Sequence, residues 1–441
     1  MEWFTVKRID KIFYGLGRLG STILLSLVTL ATIYIYTDYY HLPATWNGIA
    51  NGIGKVVIAF SGFIMGYISD KTVHPKLGRR KPYVISGSVL LSFSFIMLFV
   101  PEYFIPVGNQ ILVFIYETVF VSAFNFFYGY LLTPYQAWMP EITEPHERVE
   151  VSNYENTFNL MGNIVGIVFS FGLGLFLEMG LTLAQIVIVF GILEIIFYMP
   201  AAIRIREPTK YIKQPNIFRE MMIALKNRNY VIWILARGLM SVTFAFITSF
   251  VLLYVSDVLH FGGIDTLYFA AVLLIIVVTF FNVWYQLSKR WKIKKTMTLS
   301  LIVLIFALPL SWFIGRVPMP LDTKLMGYIF IALAAVGLSG YWLFPYAILA
   351  NIAEADEIVT GESRAGMYTG FDSIPLNFFQ AFSLALGGFI WDLPEIGHYI
   401  WGPFYAIFLV IGLIVFQYVE TDPDFDALRA KYGRTTVPNQ S

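Results

Sequence analysis

The sequence predicts an all-α membrane protein with twelve transmembrane helices in two pseudo-symmetric six-helix bundles, with both termini cytoplasmic. Three observations support this prediction. Hydrophobic residues make up 57% of the chain and charged residues only 13%, long apolar runs recur along its length, and basic residues gather in alternate connections. Such a composition cannot cover a water-soluble domain with a polar surface, whereas a lipid bilayer suits it.

Twelve apolar windows are long enough for a membrane span, which takes ~20 residues of helix. They lie near 12–37, 46–69, 84–104, 110–139, 151–177, 181–203, 229–256, 264–288, 297–315, 325–350, 367–391 and 398–420. The expected organisation is an N-terminal bundle over 1–203, a cytoplasmic linker over 204–228, a C-terminal bundle over 229–420 and a cytoplasmic tail over 421–441. The first window has no convincing small-residue cleavage site, so we expect a retained helix and not a signal peptide.

The basic residues predict the orientation, because lysine and arginine near span ends resist translocation. If both termini are cytoplasmic, the outer connections hold only Arg316 and Lys324. The inner connections then hold most of the other basic residues, including Arg148 and Arg364. We expect a multi-pass protein of the plasma (cytoplasmic) membrane.

The sequence lacks the residues that several functional classes need. Thirty basic residues against 29 acidic ones give no field that would attract nucleic acid, and the chain has no cysteine. The five histidines fall in predicted loops without metal-site spacing, and there is no phosphate-binding glycine loop. We therefore expect no enzyme activity, no cofactor and no metal. No filter-like pore segment indicates a channel, while a membrane receptor or scaffold stays open as an alternative.

Seven ionisable residues fall inside predicted spans, where each costs at least ~2.5–3.5 kcal/mol and therefore faces a partner or a cavity. They are Arg18, Lys55, Glu117, Glu155, Glu194, Arg237 and Asp372. Four acids against three bases leave one carboxyl group that could carry a coupled proton. Glu117 is the preferred candidate, with pairing to Lys55 or Arg18 as the structural alternative. Glu155 could be interfacial, and Glu194 could snorkel toward the interface.

Polar side chains at helical spacing mark a candidate solute path. The fifth window carries Ser152, Asn156, Asn159 and Asn163 on one face, and these residues either line the path or bond a neighbouring helix. In the eleventh window Asn377 and Gln380 lie near Pro375, where a packing kink is the alternative. The other candidates are Thr22, Asn125, Tyr128 and Trp342, with Trp138 and Tyr341 as further aromatic residues.

The two halves repeat a local pattern. The connection after the fourth window contains Pro134-Tyr135, then Arg148 and Tyr154. The connection after the tenth contains Pro345-Tyr346, then Arg364 and Tyr368 in the same order. Two six-helix halves related by a twofold pseudo-axis along the membrane normal would produce this repeated order of residues.

The connection after the second window carries a more specific motif. Gly66 and Asp70 are followed by Gly78-Arg79-Arg80, an order that resembles the loop signature of the major facilitator superfamily. The resemblance implies a gate in which Asp70, Arg79 and Arg80 form pairs that break as the bundles move. A solvated basic loop is the alternative.

The whole chain resembles the glycoside, pentoside and hexuronide cation symporters, the family of melibiose permease. Matching segments include Tyr14 to Gly17, Gly78 to Tyr83, Pro134 to Arg148 and Ala355 to Gly366. The second window departs from the family's Arg-x-x-Asp-x-x-x-Asp-Pro pattern, because Lys55, Ile58, Gly62 and Phe63 stand there. Thr22 and Leu132 replace expected sugar-site aspartates, and the region of Asn377 is uncharged where the family has basic residues.

The resemblance implies a secondary active transporter that moves a sugar or glycoside by alternating access. Since both second-window aspartates are missing, a coupling proton is expected in preference to sodium. An uncoupled facilitator is the alternative mechanism, and a lysolipid or organic acid is the alternative solute. The expected partners are the solute, the coupling ion and the lipid bilayer, with the protein as a monomer.

Overall fold

A computed structural model describes residues 7–72, 74–144, 146–205, 222–316, 322–362 and 365–432. The regular elements of this part of the chain are all helices, without a strand, and one isolated β-bridge joins His74 and Gly78. Ten of its helical stretches are long and apolar enough to cross a membrane. One of them, Ile264–Trp312, covers two predicted windows, and the polar fifth helix is not among the ten. Twelve spans therefore remain a prediction.

The helices of the first half follow the predicted windows. They are α1 Arg8–Tyr34, α2 Ala44–Lys71, α3 Lys81–Leu98, α4 Gln110–Ile142, α5 Arg148–Phe171, α6 Leu173–Glu178 and α7 Leu183–Arg204. One π-helical turn, Ile35–Tyr39, extends α1. Asn109 begins α4 by accepting hydrogen bonds from the backbone N–H groups of Ile111 and Leu112.

The second half has the same kind of elements. They are α8 Arg228–Asp257, α9 Ile264–Ala307, α10 Thr323–Leu343, α11 Pro345–Thr360, α12 Ala365–Trp391, α13 Gly397–Phe416 and the short α14 Phe425–Tyr432. Asn227 begins α8 by accepting a hydrogen bond from the N–H of Tyr230.

Several boundaries differ from the predicted windows, and three of these differences follow. The third helix ends at Leu98, not at residue 104. The eighth and ninth windows are joined through a kink at Lys292, whose φ of 68° is left-handed. The tenth window breaks at Phe344, since Pro345 has no N–H for the helix ladder, and the chain then continues as α11.

Glycines let α1 pack closely on two neighbours in the first half. A Cβ on Gly162 of α5 would lie 2.9 Å from Cβ of Thr22, and one on Gly166 would lie 2.4 Å from Cβ of Ser26. A Cβ on Gly20 of α1 would lie 2.2 Å from a carboxyl oxygen of Glu194 on α7. Backbones that approach this closely gain van der Waals contact, which drives helix association where lipid removes the hydrophobic effect.

Contacts between the halves gather at the end far from the N terminus. There Asp392 accepts hydrogen bonds from the backbone N–H of Thr45 at 2.7 Å and from its hydroxyl at 2.6 Å. The Phe171 and Phe269 rings stack with centroids 5.9 Å apart. Toward the opposite end, Tyr67 of α2 is 51% exposed. Among the described residues, the contacts between α2 and α12 run from the Asp392 end to beyond the middle of α2, where the Phe60 and Phe378 rings pack with centroids 5.7 Å apart.

Candidate functional site

The first half places Arg18 of α1 between several other helices. Its Nε lies 3.5 Å from the Glu155 carboxylate of α5, and its guanidinium also interacts with the Tyr128 hydroxyl of α4. Nε and Nη1 make no hydrogen bond with a described residue. Glu155 is not a surface group, because its side chain is only 15% exposed. The pairing with Arg18 therefore favours an interior position over an interfacial one.

Glu194 lies in the same region and differs from the sequence-based expectation. Its side chain is fully buried against Gly20 and does not snorkel. Both carboxyl oxygens lack a hydrogen-bond partner among the described residues. The nearest described cation is Arg18, which interacts with Glu194 only at longer range. The first half thus holds two interior carboxyl groups around one arginine.

The second half pairs its interior charges one to one. Arg237 of α8 donates from Nη1 to Asp372 of α12, and both side chains are less than 10% exposed. Arg237 also lies over the Tyr346 ring of α11, 5.7 Å from its centroid. Tyr346 is close enough to Tyr128 for an electrostatic interaction. Each half thus places a tyrosine beside its interior arginine, Tyr128 beside Arg18 and Tyr346 beside Arg237.

Glu117 has a partner that the sequence analysis did not consider. Its Oε1 accepts a hydrogen bond of 2.8 Å from the Asn51 amide of α2, and its Oε2 has no partner among the described residues. It forms no ion pair with Lys55 or Arg18, so the structural alternative proposed for it is wrong. Glu117 is a fully buried carboxyl group held by one neutral amide.

The asparagine stripe of α5 divides into two parts. Thr22 donates to Asn159 at 2.7 Å, and Ser26 donates to Asn163 at 3.1 Å. These two asparagines bond the adjacent helix α1, while Asn156 is exposed. The Thr22 hydroxyl and the Asn159 amide oxygen are thus engaged in helix packing, whereas Asn156 is exposed on the same helix.

The remaining path candidates lie in different environments. Asn125 is buried and donates to the Val121 carbonyl of its own helix at 2.8 Å. Asn377 donates to the Ser373 carbonyl at 2.8 Å, which leaves its amide oxygen available. Gln380 is partly buried, and Trp342 is 38% exposed.

The predicted gate loop forms a compact charge cluster. Asp70 Oδ1 lies 3.2 Å from Arg79 Nη2 and 2.5 Å from Arg80 Nη2. Glu141, at the end of α4, lies 2.9 Å from Arg80 Nη2. Both arginines are almost fully buried. Arg364, which completes the repeated pattern, lies outside the described residues.

Sequence reasoning assigned no role to Glu141, although it stands in one of the quoted motifs. The signal that could have found it is the excess of arginine over acid in the loop after α2. Two buried guanidinium groups need more than one carboxylate, so a second acid had to come from another helix.

Comparisons with known proteins agree with this architecture. An uncharacterised symporter of Synechocystis sp. is 29% identical over 165 residues, which is 36% of this chain and 29% of that protein. A proposed 2,3-dihydroxypropane-1-sulfonate exporter of Escherichia coli (strain K12) is 24% identical over 410 residues, covering 88% of this chain and 84% of the relative. A proposed sulfoquinovose importer of the same organism is 29% identical over 160 residues, covering 35% and 33%.

The matches to the Synechocystis symporter and the sulfoquinovose importer span only about a third of those proteins. A solved structure of a D-xylose–proton symporter superposes with a TM-score of 0.66 at 13% identity, over 93% of this chain and 96% of that one. At this identity the likeness shows the fold alone. The family model described as MFS/sugar transport protein matches residues 13–394. The chain therefore belongs to the MFS/sugar transport protein family.

Proposed function

We propose that the protein is a secondary active transporter that moves a sugar or glycoside across the plasma membrane by alternating access. The observation that supports this most is that each half holds an interior arginine with a tyrosine beside it, Arg18 with Tyr128 and Arg237 with Tyr346. Polar groups at membrane depth face a partner or a solute path. Family membership and the relatives named as symporters and importers support the same function.

The proposed arrangement has twelve spans, cytoplasmic termini and a monomeric protein. In this orientation the end with Thr45 and Asp392 is the outer end, and its contacts between the halves support an inward-facing conformation as the proposed state. Alternating access then requires the contacts around Asp392 to open while the second half approaches the first at the opposite end, where the formed cluster of Asp70 and Arg80 lies, a rocking of one bundle against the other.

A proton is the proposed coupling ion. Glu117 is buried, is held by the neutral Asn51 amide and has no cation at ion-pair distance among the described residues, so it can exchange a proton without breaking a salt bridge. The rival mechanism is uncoupled facilitated transport, and the rival solute is a lysolipid or an organic acid.

The test is uptake of sugars by proteoliposomes that contain the purified protein. Accumulation above equilibrium under an inward proton gradient, and not under a sodium gradient, is the expected result. Equilibration without accumulation would establish a facilitator. The absence of sugar flux under every gradient would contradict sugar transport and would leave the receptor or scaffold alternative.

Glu117→Gln tests the coupling site. The amide keeps the shape of the side chain and can still bond Asn51, but it cannot titrate. We expect proton-driven accumulation to disappear while exchange of labelled for unlabelled solute continues. Loss of both activities would assign Glu117 to the structure and not to coupling.

A further inference from the structure

Glu194 is a buried ionisable group that the proposed transport mechanism does not use. Its side chain is fully buried, and neither carboxyl oxygen has a hydrogen-bond partner among the described residues. Because no part of it is exposed, a solute cannot contact it, whereas a proton can bind there. An ionised carboxylate at this place would have neither water nor a hydrogen-bond donor to stabilise its charge.

The contacts between α1 and α7 place Glu194 at the level of Arg18. A Cβ on Gly20 of α1 would lie 2.2 Å from Oε2 of Glu194, and one on Gly17 would lie 2.7 Å from the Tyr198 ring. Arg18 stands between these two glycines in the chain. Its guanidinium group therefore lies at the depth of Glu194, and the two groups interact electrostatically without a hydrogen bond between them.

Arg18 and Glu194 have complementary hydrogen-bonding groups that are both unused. Nε and Nη1 of Arg18 donate to no described residue, and both oxygens of Glu194 accept from none. The nearer carboxylate, Glu155, lies 3.5 Å from Nε, which is an ion pair without a hydrogen bond. Since no directional bond holds Arg18 to Glu155, a change of its side-chain torsions can direct the free donors to Glu194.

The other ionisable groups that face Glu194 are tyrosines, which carry no charge at neutral pH. They are Tyr198 on α7 itself and Tyr128 of α4, which interacts with both Arg18 and Glu194. The remaining helix packed on α7 is α3, whose only charged residue is Lys81 at its first position. Among the described residues, Arg18 is thus the cation that acts on Glu194.

We propose that Glu194 is a proton-binding site, neutral in this conformation, and that Arg18 decides by moving between Glu155 and Glu194 which of the two holds the proton. One guanidinium group balances one carboxylate, so the buried cluster carries no net charge when the other carboxyl group is protonated. When Arg18 turns to Glu194, the proton leaves the Glu194 carboxyl group and binds the Glu155 carboxylate, and the number of protons is unchanged.

This movement would connect a buried proton site with water. Of the two carboxyl groups only Glu155 is partly exposed, at 15%, whereas Glu194 is fully buried. The inference adds a second proton site to Glu117, and its role in transport rests on the proposed function. The protonation states themselves can be measured without any solute.

The test is infrared spectroscopy of the purified protein in liposomes at neutral pH, where the carbonyl stretch of a neutral carboxyl group is separate from the bands of carboxylates. We expect this band to contain a component that Glu194→Gln removes. Glu117→Gln is the matched control, because it replaces a fully buried carboxyl group on another helix and should leave the Glu194 component in place. A band that is identical in Glu194→Gln and the parent protein would overturn the inference.

Two further variants test the movement of Arg18. Glu155→Gln removes its close partner, so Arg18 should turn to Glu194, and the Glu194 component should disappear although Glu194 itself is unchanged. Arg18→Gln removes the cation, so Glu155 should bind a proton as well, and the band should gain one component. A Glu194 component that persists in Glu155→Gln would show that Arg18 does not move between the two groups. If the amide bands show that Glu155→Gln is unfolded, Arg18→Gln decides, and an unchanged band there would overturn the inference.

Failure of this inference can be distinguished from failure of the transport function. If proteoliposomes take up no sugar, the transport function is wrong, and the infrared bands still decide whether Glu194 holds a proton. Sugar uptake by a protein whose spectrum has no Glu194 component would overturn the inference and leave transport intact.

Discussion

The two halves of the molecule each place an arginine of their first helix against a carboxylate of their fifth predicted span, but they balance it differently. In the second half Arg237 and Asp372 form a closed buried pair. In the first half Arg18 lies 3.5 Å from Glu155 and also has Glu194 within electrostatic range. The interior arginine of the second half is thus balanced by one carboxylate, whereas Arg18 of the first half has two carboxyl groups near it. The comparison indicates that the ion pair of the second half serves stability, whereas the first half holds a carboxyl group whose protonation can change without breaking a close ion pair.

The strongest test of this contrast removes each arginine. Arg237→Gln leaves Asp372 buried and unpaired, so we expect the free energy of unfolding to fall by about 3–5 kcal/mol. Arg18→Gln should cost less, about 1–2 kcal/mol, because Arg18 lies 3.5 Å from Glu155 without a hydrogen bond to it, whereas Arg237 hydrogen-bonds Asp372 directly. Thermal unfolding of the purified variants in detergent measures both.

The double variant Arg237→Gln with Asp372→Asn is the control for that test. It removes both charges of the pair together and should recover most of the lost stability, because no buried charge is left without a partner. If Arg18→Gln and Arg237→Gln lowered the free energy of unfolding equally, the proposed difference between the interior charges of the two halves would be wrong.

A second test compares the two carboxyl groups of the first half. Glu155→Gln removes the ion-pair partner of Arg18 and should lower the free energy of unfolding by about 1–3 kcal/mol. Glu194→Gln has the same volume and breaks no described hydrogen bond, so we expect a change within about 1 kcal/mol. A larger loss from Glu194→Gln would show that Glu194, and not Glu155, is the working partner of Arg18.

The smallest effect concerns the ion pair between Lys11, near the start of α1, and Glu147, directly before α5. The two groups lie 3.0 Å apart, and both side chains are less than 10% exposed. Burial alone would raise the pKa of Glu147, but the N–H of Glu144 and the Lys11 ammonium outweigh it and hold that pKa below the usual 4.5. The stabilisation is therefore complete above about pH 4.5 and is lost as the pH falls through the lower folded-state pKa.

Glu147→Gln should consequently lower the free energy of unfolding slightly at pH 7, by less than about 1 kcal/mol, and should flatten its decline below pH 4.5. The matched control is Glu354→Gln in the second half, whose pair with Arg429 is 48% and 57% exposed. Exposed pairs contribute little, so no change is expected. An equal decline in acid for Glu147→Gln and the parent protein would contradict the assignment.

The sequence by itself determined that this is a helical membrane protein, where most helices begin and end, and which charges lie inside it. Hydrophobic length and charge are local properties, and the cost of burying an ionised group applies at any position in a span. The loop cluster of Asp70, Arg79 and Arg80 was predictable for the same reason, because its members are close in the chain.

Only the tertiary structure decided which groups meet. Nothing local in the sequence indicates that Glu117 bonds Asn51, that Glu194 is buried beside Gly20, or that the Thr22 hydroxyl bonds the Asn159 amide oxygen. These contacts join residues 66 to 174 positions apart, and they depend on the rotation and depth of each helix. Those variables are set by packing at glycine contacts, which composition and periodicity do not encode.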